Sequence, residues 1–483
     1  MLNVAPGSPL ALILLGLCFL LVLGFEVANG FHDTANAVAT VIYTNSLKPR
    51  MAVVWSGMMN FIGVVVGGIA VAYALVDLLP PDVLSPPSGS PAIPMLISLF
   101  ATALAWNVVT WWFGIPNSSS HCIIGALIGV AAASALVNAR GLGHGVDWSQ
   151  VWKVLRALAI SPVLGLVGAG LLYFAVRHVV KDPHLYEPPE GDKPPTWGVR
   201  SLLILTCTSV SFSHGTNDGQ KSIGLIMLTV IGLLPAAYAL DPRVQDKIQH
   251  LAGDARAAIP LIERFGDDEK RLAVEAADRM QQAQPRLASA ASGGGDHAAA
   301  GDSATDAAPG GNGHQSPEAA TRSNIRNDVY RILSQLKEVG RSKQASAAEK
   351  TEAGRIEAEL KPAVEYAPWW VRILSALCLG TGTMIGYKRI VRTLGERVGK
   401  AHLTPAQGAS AELVGAGLIA TAGFTGLPVS TTHIITSGIA GTMIGSRAGL
   451  NRGMLLRIAA AWVVTLPVTI LAAGGLFYLL GGP

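Results

Sequence analysis

Two polar clusters interrupt an otherwise apolar chain, and each carries an aspartate. GFHDTANAVAT, Gly30–Thr40, places His32, Asp33 and Asn36 after the apolar run Leu10–Gly24. SHGTNDGQKSIG, Ser213–Gly224, places Asn217, Asp218, Gln220 and Lys221 within another apolar stretch. An ionisable side chain at membrane depth is costly, so by default it marks an ion or substrate path. Asp33 and Asp218 can bind a cation or carry a proton. Asn36, Asn217 and Gln220 can offer neutral oxygens to an ion or hydrogen bonds to a substrate. The plainer alternative is a structural polar network between helices. Aligning Gly30 with Gly215 sets Asp33 on Asp218, His32 on Asn217 and Asn36 on Lys221. Lys221 can neutralise an aspartate, touch an anion, or snorkel to an interface. His32, His214, His121 and His433 flank the polar motifs, where they can relay protons or bond to helix ends. Glu26 lies seven residues before Asp33, on about the same helical face.

A second pair of motifs is built from hydroxyls. IPNSSSHCIIG holds Ser118, Ser119 and Ser120 after Pro116, and LPVSTTHIITSG holds Ser430, Thr431 and Thr432 after Pro428. Proline ends the incoming helix and Ser or Thr starts the next. Such a start presents free backbone N–H groups and the positive end of the helix dipole. Two of them facing each other form an anion site without arginine, suited to phosphate or sulfate. A single turn of this kind reads as ordinary capping; a matched pair favours the anion site.

These pairs divide the chain into two homologous halves. The step from aspartate to hydroxyl triplet is 85 positions in the first half and 212 in the second. The excess is close to the length of the polar stretch Leu240–Pro368. Internal repeats with interrupted helices at matching places are a mark of secondary transporters. The divisions are 1–198 for the first membrane repeat, 199–240 for the start of the second, 241–367 for a polar insert, and 368–483 for the remainder.

Half of the residues are hydrophobic and 14% are charged, against about 25% charged in soluble domains. The fold class is therefore an all-α polytopic membrane protein, an inverted-repeat transporter with two re-entrant helical hairpins and broken helices near both motifs. Ala411–Phe424 and His433–Ile444 are too short to span comfortably and form one hairpin; Ile93–Phe113 and Cys122–Val137 form the other. The net charge of +4 includes no basic run interleaved with aromatics, so no nucleic-acid partner is expected. Cys18, Cys122, Cys207 and Cys378 sit in apolar segments without a CxxC and read as free thiols. No His-Glu-x-x-His or comparable spacing supports a metalloenzyme.

Lys and Arg set the orientation. The basic loops around Lys48, Lys181 and Lys388–Lys400 share one side, the cytoplasm. Both termini and the insert then lie outside. In the insert, Asp241–Gln284 and Ser323–Leu360 are helical in pattern, whereas Ser289–Ala320 lacks large apolar residues and is expected to be disordered. The helical parts pair with each other or across a homodimer contact.

The two motif pairs resemble those of the inorganic phosphate transporter (PiT) family, with its repeated Gly-Ala-Asn-Asp-Val-Ala-Asn-type signature. GFHDTANAVAT and SHGTNDGQKSIGLIML look closest to the bacterial low-affinity members. The resemblance covers both membrane halves and implies symport of inorganic phosphate across the cell inner membrane, not catalysis. It implies that Asp33, Asn36, Asn217 and Asp218 serve the cation and phosphate, and that Ser118–Ser120 and Ser430–Thr432 hold phosphate. His32 stands where Asn is usual, and Gln220 and Lys221 where Ala or Ser and Asn are usual. Losing amides and gaining a cation disfavours a symmetric two-Na⁺ site. H⁺ is therefore expected over Na⁺, with no resident cofactor and with Mg²⁺ or another divalent metal as possible co-substrate.

Overall fold

The computed structural model describes residues 9–33, 35–76, 78–79, 93–137, 146–189, 191, 193–233, 238, 240–241, 243, 248–267, 270–292 and 317–481. Its membrane part begins with α1 (Pro9–Asp33), α2 (Ala35–Tyr43), α3 (Pro49–Val66) and the short α4 (Ala70–Val76). A hairpin follows, α5 (Ile93–Trp112) and α6 (Ser119–Val137), and then the long α7 (Trp148–Val179). The second half starts with α8 (Trp197–Leu233). The insert supplies α9 (Ile248–Phe265), α10 (Lys270–Ser292), α11 (Pro317–Arg341) and α12 (Ala347–Val364). The chain re-enters the apolar body as α13 (Trp369–Met384) and the short α14 (Lys388–Arg392). The second hairpin, α15 (Pro405–Thr425) and α16 (Thr431–Ser446), and α17 (Arg452–Gly481) complete it.

Six described helical stretches are long and apolar enough to cross a bilayer. Their outward faces carry Leu12, Ile13, Leu20, Val163, Leu171 and Leu471, all exposed, as expected of side chains that meet lipid.

The two halves pack through matched and exchanged partners. α1 lies against α13, α8 lies against α3, and α3 and α13 meet. The hairpins exchange as well: α6 packs on α17, and α16 packs on α7. Small residues allow these crossings. A Cβ on Gly129 would run into the Ile470 carbonyl, and one on Gly441 into the Leu166 carbonyl.

Both hairpins turn in the same way. Gly114 (φ 64°) and Gly426 (φ 70°) take the left-handed conformation that ends α5 and α15. Pro116 and Pro428 follow. Ser118 and Ser430 then accept from the backbone N–H of His121 and His433, each at 3.2 Å, and cap the outgoing helices.

The structure departs from the expected breaks in two places. α8 runs without interruption through Ser213–Gly224. Its glycines serve packing: a Cβ on Gly215 would meet the Asn60 backbone, and one on Gly219 the Val64 side chain. α15 is also longer than its apolar core, because Gln407 caps its start by accepting from the Thr404 N–H at 2.9 Å. The junction of α1 and α2, at residue 34, lies outside the described residues.

The insert helices α9–α12 pair with one another around a separate core that includes Ile262, Val329, Leu333, Leu336 and Ile356. It is tied to the membrane part by Tyr73, whose hydroxyl donates to the Tyr366 carbonyl at 2.7 Å. Most of the stretch expected to be disordered, 293–316, lies outside the described residues; its ends fall in α10 and α11.

Candidate substrate and ion site

The aspartates and the hydroxyl turns, far apart in sequence, converge in the protein interior. Asp33 ends α1 and is 3% exposed; Asp218 sits inside α8 at 0%. The Ser119 hydroxyl, from the first hairpin, donates to Asp33 Oδ2 at 2.8 Å. The Thr432 hydroxyl, from the second hairpin, donates to Asp33 Oδ1 and accepts from Asn36 Nδ2 at 2.9 Å. One carboxylate therefore receives a donor from the tip of each hairpin. The tips also meet directly: Ser120 Oγ donates to the Val429 carbonyl at 3.0 Å, and the His121 and His433 rings lie 4.5 Å apart.

Asp218 is held differently. Lys221 Nζ donates to Asp218 Oδ1 at 2.5 Å, to Ser120 Oγ at 2.7 Å and to the Val429 carbonyl at 2.9 Å. All three ammonium protons are thus placed, so the buried lysine is fully paired. The Thr431 hydroxyl lies 3.5 Å from Asp218 Oδ2. On the same oxygen, at 3.1 Å, lies His214 Nε2, which is also 4.0 Å from Asp33 Oδ2.

From the sequence, His214 has the same two readings as His32, His121 and His433, yet His214 alone of these four is within 4.0 Å of both aspartates among the described residues. Its signal was available: it precedes Asp218 by four positions, one turn along the same helical face. Its Nδ1 lies 2.7 Å from Asn60 Oδ1. An amide oxygen only accepts, so Nδ1 carries a proton. The Nε2 lone pair would then point at carboxylate oxygens unless a proton or a cation lies between them. Asp33, His214 and Asp218 can bring one ligand atom each within 4.8 Å of one another. The cluster can therefore accommodate a positive charge.

The other expected site residues divide. Asn36 and Asn217 stay at the cluster's edge with unspent capacity. Asn36 Oδ1 and both side-chain polar atoms of Asn217 have no partner among the described residues, although both residues are buried. Bare buried amides are costly, so these atoms are open to hydrogen bonds from a bound ion or substrate. Gln220 does not join them. Its Oε1 accepts from the Val71 N–H at 2.9 Å, and its Nε2 donates to the Thr216 and Gly423 carbonyls. The amide is spent on joining α4, α8 and α15. His32 also turns away, with Nε2 2.9 Å from the Asn107 carbonyl of α5. A neighbour in sequence points about 100° around a helix, so adjacency to Asp33 directs His32 to another face. Ser118 and Ser430 use their hydroxyl oxygens as caps, which leaves the hydroxyl protons to other partners.

The arrangement juxtaposes an anion-friendly pair of helix starts, two carboxylates, one lysine and one histidine. It can bind an oxyanion at the hairpin tips and hold compensating positive charge beside it.

Comparison with known proteins agrees with this chemistry. The profile described as the phosphate transporter family matches residues 29–189 and 181–473. Over 486 residues the chain is 37% identical to the low-affinity inorganic phosphate transporter PitA of Escherichia coli K12, covering 97% of this chain and 96% of that protein. It is 36% identical to PitB of the same organism over 493 residues, with 97% and 96% covered. A probable low-affinity inorganic phosphate transporter of Bacillus subtilis is 27% identical, with 95% and 94% covered. A solved structure described as the sodium-dependent phosphate transporter superposes with a TM-score of 0.52 at 17% identity, covering 97% of this chain and 99% of that one. That likeness bears on the fold.

Proposed function

The chain belongs to the phosphate transporter family, and we propose that it imports inorganic phosphate by proton-coupled symport. Its role is transport rather than catalysis, and it is a multi-pass protein of the plasma membrane. The proposal concerns the coupling ion, the form of the substrate, the direction and the residues.

Phosphate binds between the tips of the two hairpins, at Ser119, Ser120, Thr431 and Thr432, with Asn36 and Asn217 turned toward it. The observation that carries this reading is Asp33, which takes one hydroxyl donor from each hairpin. An anion arriving at the tips competes for those hydroxyls and so alters the hold on Asp33. Substrate occupancy and the charge state of the carboxylates are thereby linked.

His214 supports a proton over sodium. Na⁺ is a hard cation that takes oxygen ligands, and an imidazole nitrogen suits a proton or a transition metal. A nitrogen 3.1 Å from Asp218 Oδ2 is well placed to share a proton and poorly suited to complete an oxygen shell. Lys221 further reduces the demand for a second cation. A neutral complex of phosphate with a divalent metal fits the same site, because the metal can lie over Asp33 and Asp218 while the phosphate meets the hydroxyls. Both hairpins are re-entrant in this reading, and the halves rock about the site to expose it alternately.

The test is uptake of radiolabelled phosphate into proteoliposomes, with proton and sodium gradients imposed separately and Mg²⁺ present or absent. Uptake driven by the proton gradient alone is expected. Uptake that follows sodium only would replace the proton by Na⁺, and sulfate carried as readily as phosphate would replace the substrate.

A further inference from the structure

Two membrane-buried glutamates stand outside the cluster: Glu26 on α1 and Glu412 on α15, each 0% exposed. Neither forms an ion pair among the described residues. A buried carboxylate without a cation needs several donors, and an ionised one without them costs several kcal/mol or takes up a proton. Glu26 has the barer surroundings. Its Oε2 meets the Ser222 hydroxyl, and its Oε1 has no partner among the described residues. Ser222 Oγ also lies 3.1 Å from the Asp218 carbonyl, the usual back-bond of a helical serine. A hydroxyl has one proton to give. An ionised Glu26 would therefore hold at most one donor, on one oxygen. A protonated Glu26 instead donates to Ser222, whose own O–H donates to the Asp218 carbonyl, and the bare Oε1 is then neutral. Asp33 contrasts with this, since both of its oxygens receive hydroxyl donors.

Glu412 repeats the pattern in the other half. Thr206 Oγ1 lies 2.5 Å from Glu412 Oε2 and 3.0 Å from the Leu203 carbonyl. It differs from Glu26 in also facing the Thr40 hydroxyl of α2, a second donor. Glu26, Asn29 and Asp33 follow one another at three and four positions on one face of α1, a rise of about 10 Å over the seven residues. Asn29 is 2% exposed, and its Oδ1 has no partner among the described residues. The ionisable groups that face Glu26 are Asp218 and Lys221 from α8 and the Cys378 thiol from α13; α5 contains none.

We propose that Glu26 is a second proton-carrying residue of the transport cycle, protonated in this conformation and exchanging its proton with the Asp33–His214–Asp218 cluster along the Asn29 face of α1 and through Ser222. The transfer is a simple proton movement. The acid O–H of Glu26 breaks, a proton is gained at the cluster, and the carboxylate left behind faces Lys221. The inference rests on the proton-coupled reading above.

The test uses the full-length protein reconstituted in vesicles, as wild type and Glu26→Gln. Glutamine preserves the hydrogen bond to Ser222 and cannot release a proton. Infrared spectra at neutral pH should show a protonated-carboxyl band in the wild type that weakens in Glu26→Gln; identical spectra overturn the proposal. Phosphate–phosphate exchange, which needs no net proton movement, should persist in Glu26→Gln while accumulation driven by a pH gradient is lost. Retention of both activities, or their loss in equal proportion, makes Glu26 a packing residue and also overturns it. If wild-type uptake instead follows a sodium gradient alone, the proton-coupled reading fails together with the transport role of Glu26, whereas the infrared band would still record the bound proton.

Discussion

Lys221 Nζ lies 2.7 Å from Ser120 Oγ, so a cation on the first helix of the second half grips the hairpin tip of the first. The same ammonium holds Asp218 and the Val429 carbonyl of the other tip. One side chain thus joins three of the four polar motifs. Any movement of the halves that opens the site must loosen this grip.

Lys221→Met should leave Asp218 without its strongest partner. Removing one member of a buried ion pair costs about 3–5 kcal/mol, so a large fall in the melting temperature of purified protein is expected. Adding Asp218→Asn should restore much of that loss without restoring concentrative uptake. A double variant as unstable as Lys221→Met would show that the lysine acts through Ser120 and Val429 instead.

Asp33→Asn and Asp218→Asn should each abolish accumulation of radiolabelled phosphate against a gradient. Both are nearly isosteric, so protein levels should fall less than uptake. Near-normal accumulation in either variant would remove that aspartate from coupling.

Thr432→Val removes one donor to Asp33 and the acceptor for Asn36 while keeping the shape of the side chain. A buried polar group left unpaired costs about 1–3 kcal/mol. The expected result is weaker phosphate affinity, visible as a raised KM for uptake, and a smaller change in Ser430→Ala, whose hydroxyl caps α16. Equal effects of the two substitutions would assign Thr432 to helix capping as well.

If phosphate travels with a divalent metal, chelation of Mg²⁺ and other divalent ions from the outer solution should remove uptake, and adding Mg²⁺ back should restore it. Labelled metal should enter with the phosphate. Uptake unaffected by chelation would identify free phosphate as the substrate.

The motif pairs were legible in the sequence because polar residues stand out in an apolar chain and because each motif occurs twice. The hairpin turns were legible for a local reason, since Gly114, Pro116 and Ser118 are matched by Gly426, Pro428 and Ser430. What the sequence concealed was direction around a helix. His32 stood beside Asp33 and looked like its partner, but it serves Asn107 of α5, whereas His214 faces both aspartates. Gln220 looked like a ligand until its amide was seen to bind three backbone segments. The continuity of α8 was hidden because its glycines, which read as breaks, are spaces for α3. Lys221 showed its position but not its choice among an aspartate, an anion and the interface, because that choice depends on where the first hairpin comes to rest.

The exchange of hairpin partners has a consequence for how the protein is made. α6 leaves the ribosome long before α17, the helix that covers it, has been synthesised, and α16 must find α7 in a segment already placed in the bilayer. The early half of the nascent chain therefore waits, with its glycine-lined surface uncovered, until α17 arrives, and a message truncated before that helix would strand material for quality-control proteases to clear.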